Sequence, residues 1–311
     1  MVMAENKATR ASYGEALKEL GAEYENLVVM DADLSGSTKT AVFAKEYPGR
    51  FFNMGVSEQN MYAYAAGLAH SGKIVCASTF AMFASGRAFE IIRNSIGYTK
   101  ANVKVCATHA GITVGADGAS HQTFEDVALM RTIPGMTVIN PSDDISAKAL
   151  LKQAVAYDGP VYMRFGRAPV PVFYDDGADI VMGKGNCVRE GNDVAVIASG
   201  LMVNEAFMAA EELASSDIDV RIIDMHTVKP IDKDIIVKAA KETGAVVTAE
   251  EHSVVGGLGS AVSEVLSENC PVKMRFVGQK DSFGESGQLE ELKEKYGMNA
   301  AAIVKAVKEI L

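Results

Sequence analysis

The sequence has no apolar run approaching the roughly 18 residues that a membrane span requires, so no membrane association is expected. Its opening residues, MVMAENKATR, lack the apolar core of a secretory leader. No basic block is present, and a net charge of −10 disfavours a nucleic-acid partner. The 4 cysteines, Cys76, Cys106, Cys187 and Cys270, stand far apart, with no CxxC pair. That pattern gives no zinc site and suits reduced thiols, so a cytoplasmic location is expected. Repeats, low-complexity tracts, a Walker loop and a dinucleotide fingerprint are also missing. What remains is a chain of 311 residues, 48% apolar, long enough for about two domains.

Short β-branched runs alternate with longer amphipathic segments, the pattern of βαβ units and a mostly parallel sheet. Strands are predicted over residues 25–33, 50–56, 73–79, 103–109, 136–141 and 160–166, with helices between them, as over 12–24 and 142–157. Ser142 is the predicted N-cap of the latter, with Asp143 and Asp144 at the positive end of its dipole. Residues 168–193 lose the periodicity and read as an interdomain connection carrying a short hairpin. Strands then return over 193–200, 219–226, 245–251 and 272–278, again alternating with helices. The expected fold class is α/β, with two domains that each hold a mostly parallel sheet flanked by helices. The expected boundaries are residues 1–180, a linker over 181–192, and a second domain over 193–311.

The least ordinary stretch is THAGITVGADGASHQ, residues 108–122. Gly111, Gly115 and Gly118 free its backbone, while His109, Asp117 and His121 crowd the same short loop. It follows a strand, where open parallel sheets place their ligands, although a polar surface loop would share the composition. DADLSGS, residues 31–37, ends another strand and offers Asp33 and Ser37. Arg164 and Arg167 follow a third, and the guanidinium fork suits phosphate. GGLGSAVSEVL, residues 256–266, reads as a tight helix entry capped by Ser260 rather than an anion nest. Phe80 and Phe83 lie at helical spacing, which more often marks a core. His109 and His121 lack a third residue spaced to complete a metal site. Glu58, in NMGVSEQN, sits where a strand passes into a helix, and alone it is a helix-start carboxylate.

In order, ATR (8–10), DADLSGS (31–37), GVSEQN (55–60), STFAMF (78–83), THAGITVGADGASHQ (108–122) and RFGR (164–167) resemble the pyrimidine-binding domain of transketolases. EEHSVVGGLGSAV (250–262) and DSFGESG (281–287) resemble that family's C-terminal domain. The family's additional N-terminal domain, which holds the cofactor's diphosphate through a metal with a GDG motif, has no counterpart, and no GDG occurs. The resemblance therefore implies the second subunit of a split transketolase, paired with an N-terminal-half subunit, self-associated in a heterotetramer and acting on sugar phosphates.

The resemblance implies thiamine diphosphate as cofactor, with Mg2+ or Ca2+ held mainly by the partner subunit. It gives Glu58 the role of the carboxyl that stabilises the cofactor's imino tautomer, a role that favours a desolvated, proton-sharing acid. It places Phe83 on the pyrimidine, Phe80 as a second wall and Asp33 near the cofactor at the subunit boundary. His109 and His121 match the pair lining the donor channel, and Asp117 the aspartate that reads a substrate hydroxyl. Arg10, Ser37 and Arg167 match the group that grips the distal phosphate. Gly86 stands where transketolases often have a tyrosine, which leaves one wall of the pocket open or filled by Arg87. The alternatives are half of a deoxyxylulose-phosphate synthase, the β subunit of a 2-oxoacid dehydrogenase, or a non-catalytic binding or regulatory protein.

Overall fold

The computed structural model describes residues 4–311. Its strands are β1 (Ala4–Ala8), β2 (Leu27–Asp31), β3 (Phe51–Asn53), β4 (Ile74–Phe80), β5 (Val103–Thr108), β6 (Thr137–Ile139) and β7 (Val161–Phe165), then β8 (Pro169–Val172), β9 (Asn186–Arg189), β10 (Val194–Ala198), β11 (Val220–Asp224), β12 (Thr227–Lys229), β13 (Ala245–Ser253) and β14 (Lys273–Gln279). A seven-stranded sheet runs β12-β6-β7-β5-β4-β2-β3, and a five-stranded sheet runs β14-β13-β10-β11-β9. Both are parallel except for one antiparallel edge strand each, β12 and β9. Strands β2, β4, β5, β7, β10 and β11 are buried along their whole length. Helices cover both of their faces, which is why they read as continuous apolar runs rather than alternating ones. The α/β class holds, with two mostly parallel sheets flanked by helices.

The seven-stranded sheet positions the candidate site. The carboxyl ends of β2, β4, β5 and β7 lead directly into Asp33, Phe83, His109 and Arg167, the place where parallel sheets present ligands. The strand before Glu58 is shorter than expected, only Phe51–Asn53. Met54 N–H donates to Asp31 O at 2.9 Å, and Gly55, at φ 71°, then turns the chain into helix Glu58–His70.

The connection over 168–193 forms no hairpin. Its first strand, β8, pairs with β1, while β9 pairs with β11 in the other sheet. Pairing across such separations leaves no local signal. The N-cap of helix Asp144–Ala156 is Asp143, not Ser142: Asp143 Oδ1 accepts from Ser146 N–H at 2.8 Å, and Ser146 Oγ accepts from Asp143 N–H at 2.9 Å. Ser142 instead donates to Asp224 Oδ2 at 2.6 Å, which ties the first sheet's surroundings to β11.

Asp224 is fully buried and also accepts from Tyr174 Oη at 2.9 Å. Burial, with nearby Asp143 adding to it, outweighs those two hydrogen bonds and raises its carboxyl to about 7. A raised acid keeps a proton that the unfolded chain has lost, so stability falls as pH climbs from about 4 towards 7. Asp224→Asn keeps an oxygen for both hydroxyls and removes that loss. Its thermal midpoint relative to the parent should therefore rise between pH 5 and pH 8. A gap that stays level across that range would contradict the assignment.

Candidate active site

Glu58 is the first residue of helix Glu58–His70 and is 2% exposed. Its backbone place is that of a helix-start acid, but its side chain does not point to water. Arg87 Nη1 donates to Glu58 Oε2 at 2.9 Å, and no other side chain bonds that carboxylate among the described residues. The same guanidinium lies 4.8 Å from the centre of the Phe83 ring. Arg87 thus joins the carboxylate to the aromatic face, while the space beside Gly86 is taken by Met82, whose methyl would lie 2.9 Å from an added Cβ.

Phe80 and Phe83 do not share a helix. Phe80 ends β4, and Phe83 opens a wide turn, Phe83–Arg87, built on i→i+5 hydrogen bonds. The rings nevertheless stack, with centres 6.1 Å apart. His109 lies against Phe80 at 4.0 Å, and His121 meets Phe83 edge-on at 5.3 Å. An aromatic wall therefore runs from the Glu58–Arg87 pair to the two histidines.

His109 has φ 57°, a left-handed conformation unusual for a residue with a side chain. Its Nε2 lies 3.1 Å from Arg10 Nη1, and a guanidinium can only donate. Nε2 is therefore the acceptor, and Nδ1 carries the proton towards Thr108 Oγ1 at 2.8 Å. Burial first, then the charges of Arg10, Arg167, Lys39 and His121, lower this imidazole to about 3. His109 is consequently neutral at ordinary pH and offers a shaped, uncharged ring. His121 is half-buried, with Nδ1 3.0 Å from Ser120 Oγ.

Beyond the histidines, Arg10, Lys39 and Arg167 line one open cleft. Arg10 Nη1 donates to Ser37 O at 2.8 Å, while its Nε is buried without a partner among the described residues. Arg167 donates to Val114 O and pairs with Asp117 at 3.4 Å. Asp33 lies apart from this cleft, exposed at φ 67°, and accepts from Asn53 Nδ2 at 2.8 Å. The structure thus gathers Arg10, Ser37, His109, Asp117 and Arg167 at one end, and Glu58, Phe80, Phe83 and His121 along the wall. Among the described residues no three His, Cys, Asp or Glu side chains stand close enough to hold a metal.

Arg164 belongs to neither group. It is buried and binds Asp126 through Nε at 2.8 Å and Nη2 at 3.3 Å, so it is not available to phosphate. Its Nη2 also donates to Glu251 O at 2.8 Å, and Glu251 Oε1 accepts from Thr113 N–H at 2.7 Å. This network pins the glycine-rich loop to β13. At Gly111, φ 75°, an added Cβ would fall 2.4 Å from the Glu251 side chain, so glycine is required there.

The sequence reading missed these braces. A period of two sends Glu250 and Glu251 to opposite faces of β13, which could have suggested two separate tasks. Glu250 accepts from Leu258 N–H at 2.7 Å and Gly259 N–H at 2.8 Å, so it, not Ser260, caps helix Leu258–Asn269. Ser260 Oγ accepts from Gly256 N–H at 2.8 Å and fixes the preceding turn.

Residues 5–172 match the family described as "Transketolase, pyrimidine binding domain", and residues 183–303 match "Transketolase, C-terminal domain". A protein of Methanocaldococcus jannaschii, provisionally named a transketolase C-terminal section, is 52% identical, with 97% of this chain and 96% of the relative covered. The 6-deoxy-6-sulfo-D-fructose transketolase subunit SqwH of a Clostridium species is 44% identical, with 97% and 94% covered. A solved "split gene transketolase, inactive beta4 tetramer" superposes with a TM-score of 0.92 at 53% identity, over 98% of each chain.

Proposed function

The chain belongs to the transketolase family, and on that premise we propose that it is the second subunit of a split, thiamine diphosphate-dependent transketolase. In this reading it moves a two-carbon ketol unit from a ketose phosphate to an aldose and is active only beside an N-terminal-half subunit. The observation that carries the reading is the buried Glu58 carboxylate, whose single side-chain partner among the described residues, Arg87, is half exposed and lies over Phe83. A planar, electron-poor group already occupies that aromatic face, and an aminopyrimidine is of the same kind. The donor set therefore suits the pyrimidine end of the cofactor. When bound, thiamine diphosphate supplies the nucleophilic carbon that accepts the ketol unit.

Each residue of the chain then has a task. Glu58 holds or shares a proton at the ring nitrogen it faces, with Arg87 swung towards solvent. Phe80 and Phe83 keep water from that pair and fix the ring plane. Neutral His109, held in a strained backbone conformation, and His121 orient the sugar hydroxyls. Asp117 accepts from a hydroxyl, and Arg10, Ser37 and Arg167 hold the distal phosphate. The metal and the diphosphate are assigned to the partner subunit, and the working assembly is a heterotetramer. The structural relative's own description as an inactive tetramer of one subunit type supports a half site that waits for its partner.

The test is reconstitution. Co-expressed with an N-terminal-half transketolase subunit, the chain should co-purify and transfer a ketol unit from a ketose phosphate, whereas alone it should not. Consumption of pyruvate without ketol transfer would instead place it with the synthase or dehydrogenase halves.

A further inference from the structure

The cleft that holds Arg10 and Arg167 contains a third cation, Lys39, which the sequence motifs left unassigned. Lys39 has φ 72°, and its position is fixed from three sides. Asp31 Oδ2 accepts from Thr38 Oγ1 at 2.6 Å and from Thr40 Oγ1 at 2.8 Å, clamping the residues on either flank. Gly14, one turn beyond Arg10 on helix Thr9–Glu23, leaves room for it: an added Cβ there would lie 2.7 Å from both Lys39 Cβ and Lys39 O. The backbone of a flexible, charged residue is thus held in an uncommon conformation by a buried acid and a required glycine.

Of the three cations lining this cleft, only Arg167 has a carboxylate partner among the described residues, Asp117. Arg10 contributes a buried Nε with no acceptor. Lys39 is half-buried and close enough to His109 to help push its imidazole down. Three cations against one carboxylate leave an excess of positive charge around one uncharged ring. That excess suits a ligand carrying two negative charges better than one carrying a single charge.

We propose that Lys39 is a specificity-determining residue of the cleft, a point charge that favours a substrate ending in a phosphate dianion over one ending in a monoanion. The inference rests on the reading of this cleft as the sugar-phosphate end of the site. The arginines supply directed forks, and Lys39 supplies charge without a fixed geometry, so its contribution follows the ligand's charge more than its shape.

Calorimetric titration of the reconstituted pair with a pentose 5-phosphate, the matching pentose sulfonate and inorganic phosphate tests this. Lys39→Met should weaken the pentose 5-phosphate about tenfold, as expected for a hydrogen-bonded charge, and the sulfonate clearly less. Lys39→Arg should restore most of the loss. If Lys39→Met binds the pentose 5-phosphate like the parent while Arg167→Met loses it, the role of Lys39 is wrong and the cleft reading stands. If inorganic phosphate binds as tightly as the sugar phosphate and Lys39→Met weakens both equally, Lys39 is an anion anchor and the sugar-phosphate reading fails. Binding of none of the three by the parent would overturn both.

Discussion

Glu58→Gln in the reconstituted pair is expected to lower ketol transfer by about a hundred- to ten-thousand-fold, the range for losing a positioned proton donor or acceptor. Glutamine keeps the length and shape of the side chain and an oxygen for Arg87 Nη1, now 2.9 Å away. It cannot take, give or share a proton. Because the site is 2% exposed, water cannot easily substitute for the missing group. The variant should keep the parent's thermal midpoint and its association with the partner subunit, which separates a chemical loss from a folding one. Ketol transfer near the parent rate would remove Glu58 from the reaction and return it to the role of a helix-start acid.

Arg164→Met should produce the largest loss of stability. Burial alone would raise Asp126, but Arg164, then His252 and the hydrogen bonds from Arg164 and Tyr162, outweigh it and hold the carboxyl below its usual value. Without Arg164 a fully buried charge loses its main partner, at a cost of about 3–5 kcal/mol. For a chain of this size that is a fall in thermal midpoint on the order of 10 °C. An acid lowered by folding contributes stability above its unfolded value and loses it on acidification. The gap between parent and variant should accordingly narrow as the pH drops below about 4. Asp126→Asn combined with Arg164→Met should recover part of the loss, because no lone charge remains. A midpoint for the single variant within about 2 °C of the parent would contradict this account. The glycine-rich loop shares the network through Glu251 and Thr113, so loosening should reach His109 and Asp117 as well.

Much of this was legible in the sequence because it is local. Strand–helix alternation follows from period and composition, and it yielded the α/β class and most central strands. The expected cleft residues Arg10, Ser37, His109, Asp117 and Arg167 do meet, since the carboxyl ends of neighbouring parallel strands necessarily converge. Side-chain pairings between distant segments were not legible. Arg164 read as a phosphate ligand or a solvated surface group because nothing nearby in sequence reveals Asp126 or Glu251. Ser260 looked like a cap because Glu250 reaches that helix from another element. Lys39 lies outside every motif that the sequence offered, and only folding places it in the cleft, without a carboxylate partner among the described residues.

The short strand β12 has a consequence for how the chain is made. It belongs by sequence to the second half, yet it closes the outer edge of the first sheet beside β6, and Lys229 Nζ fastens it by donating to Arg131 O at 2.7 Å and Ile133 O at 2.6 Å. During synthesis from the N-terminus, every strand that flanks the candidate site emerges well before that edge can close. Until residue 229 leaves the ribosome, β6 presents unpaired amides along an open margin, the kind of surface on which nascent chains stick to one another. The half that carries the candidate site is thus finished late, by a piece of its neighbour.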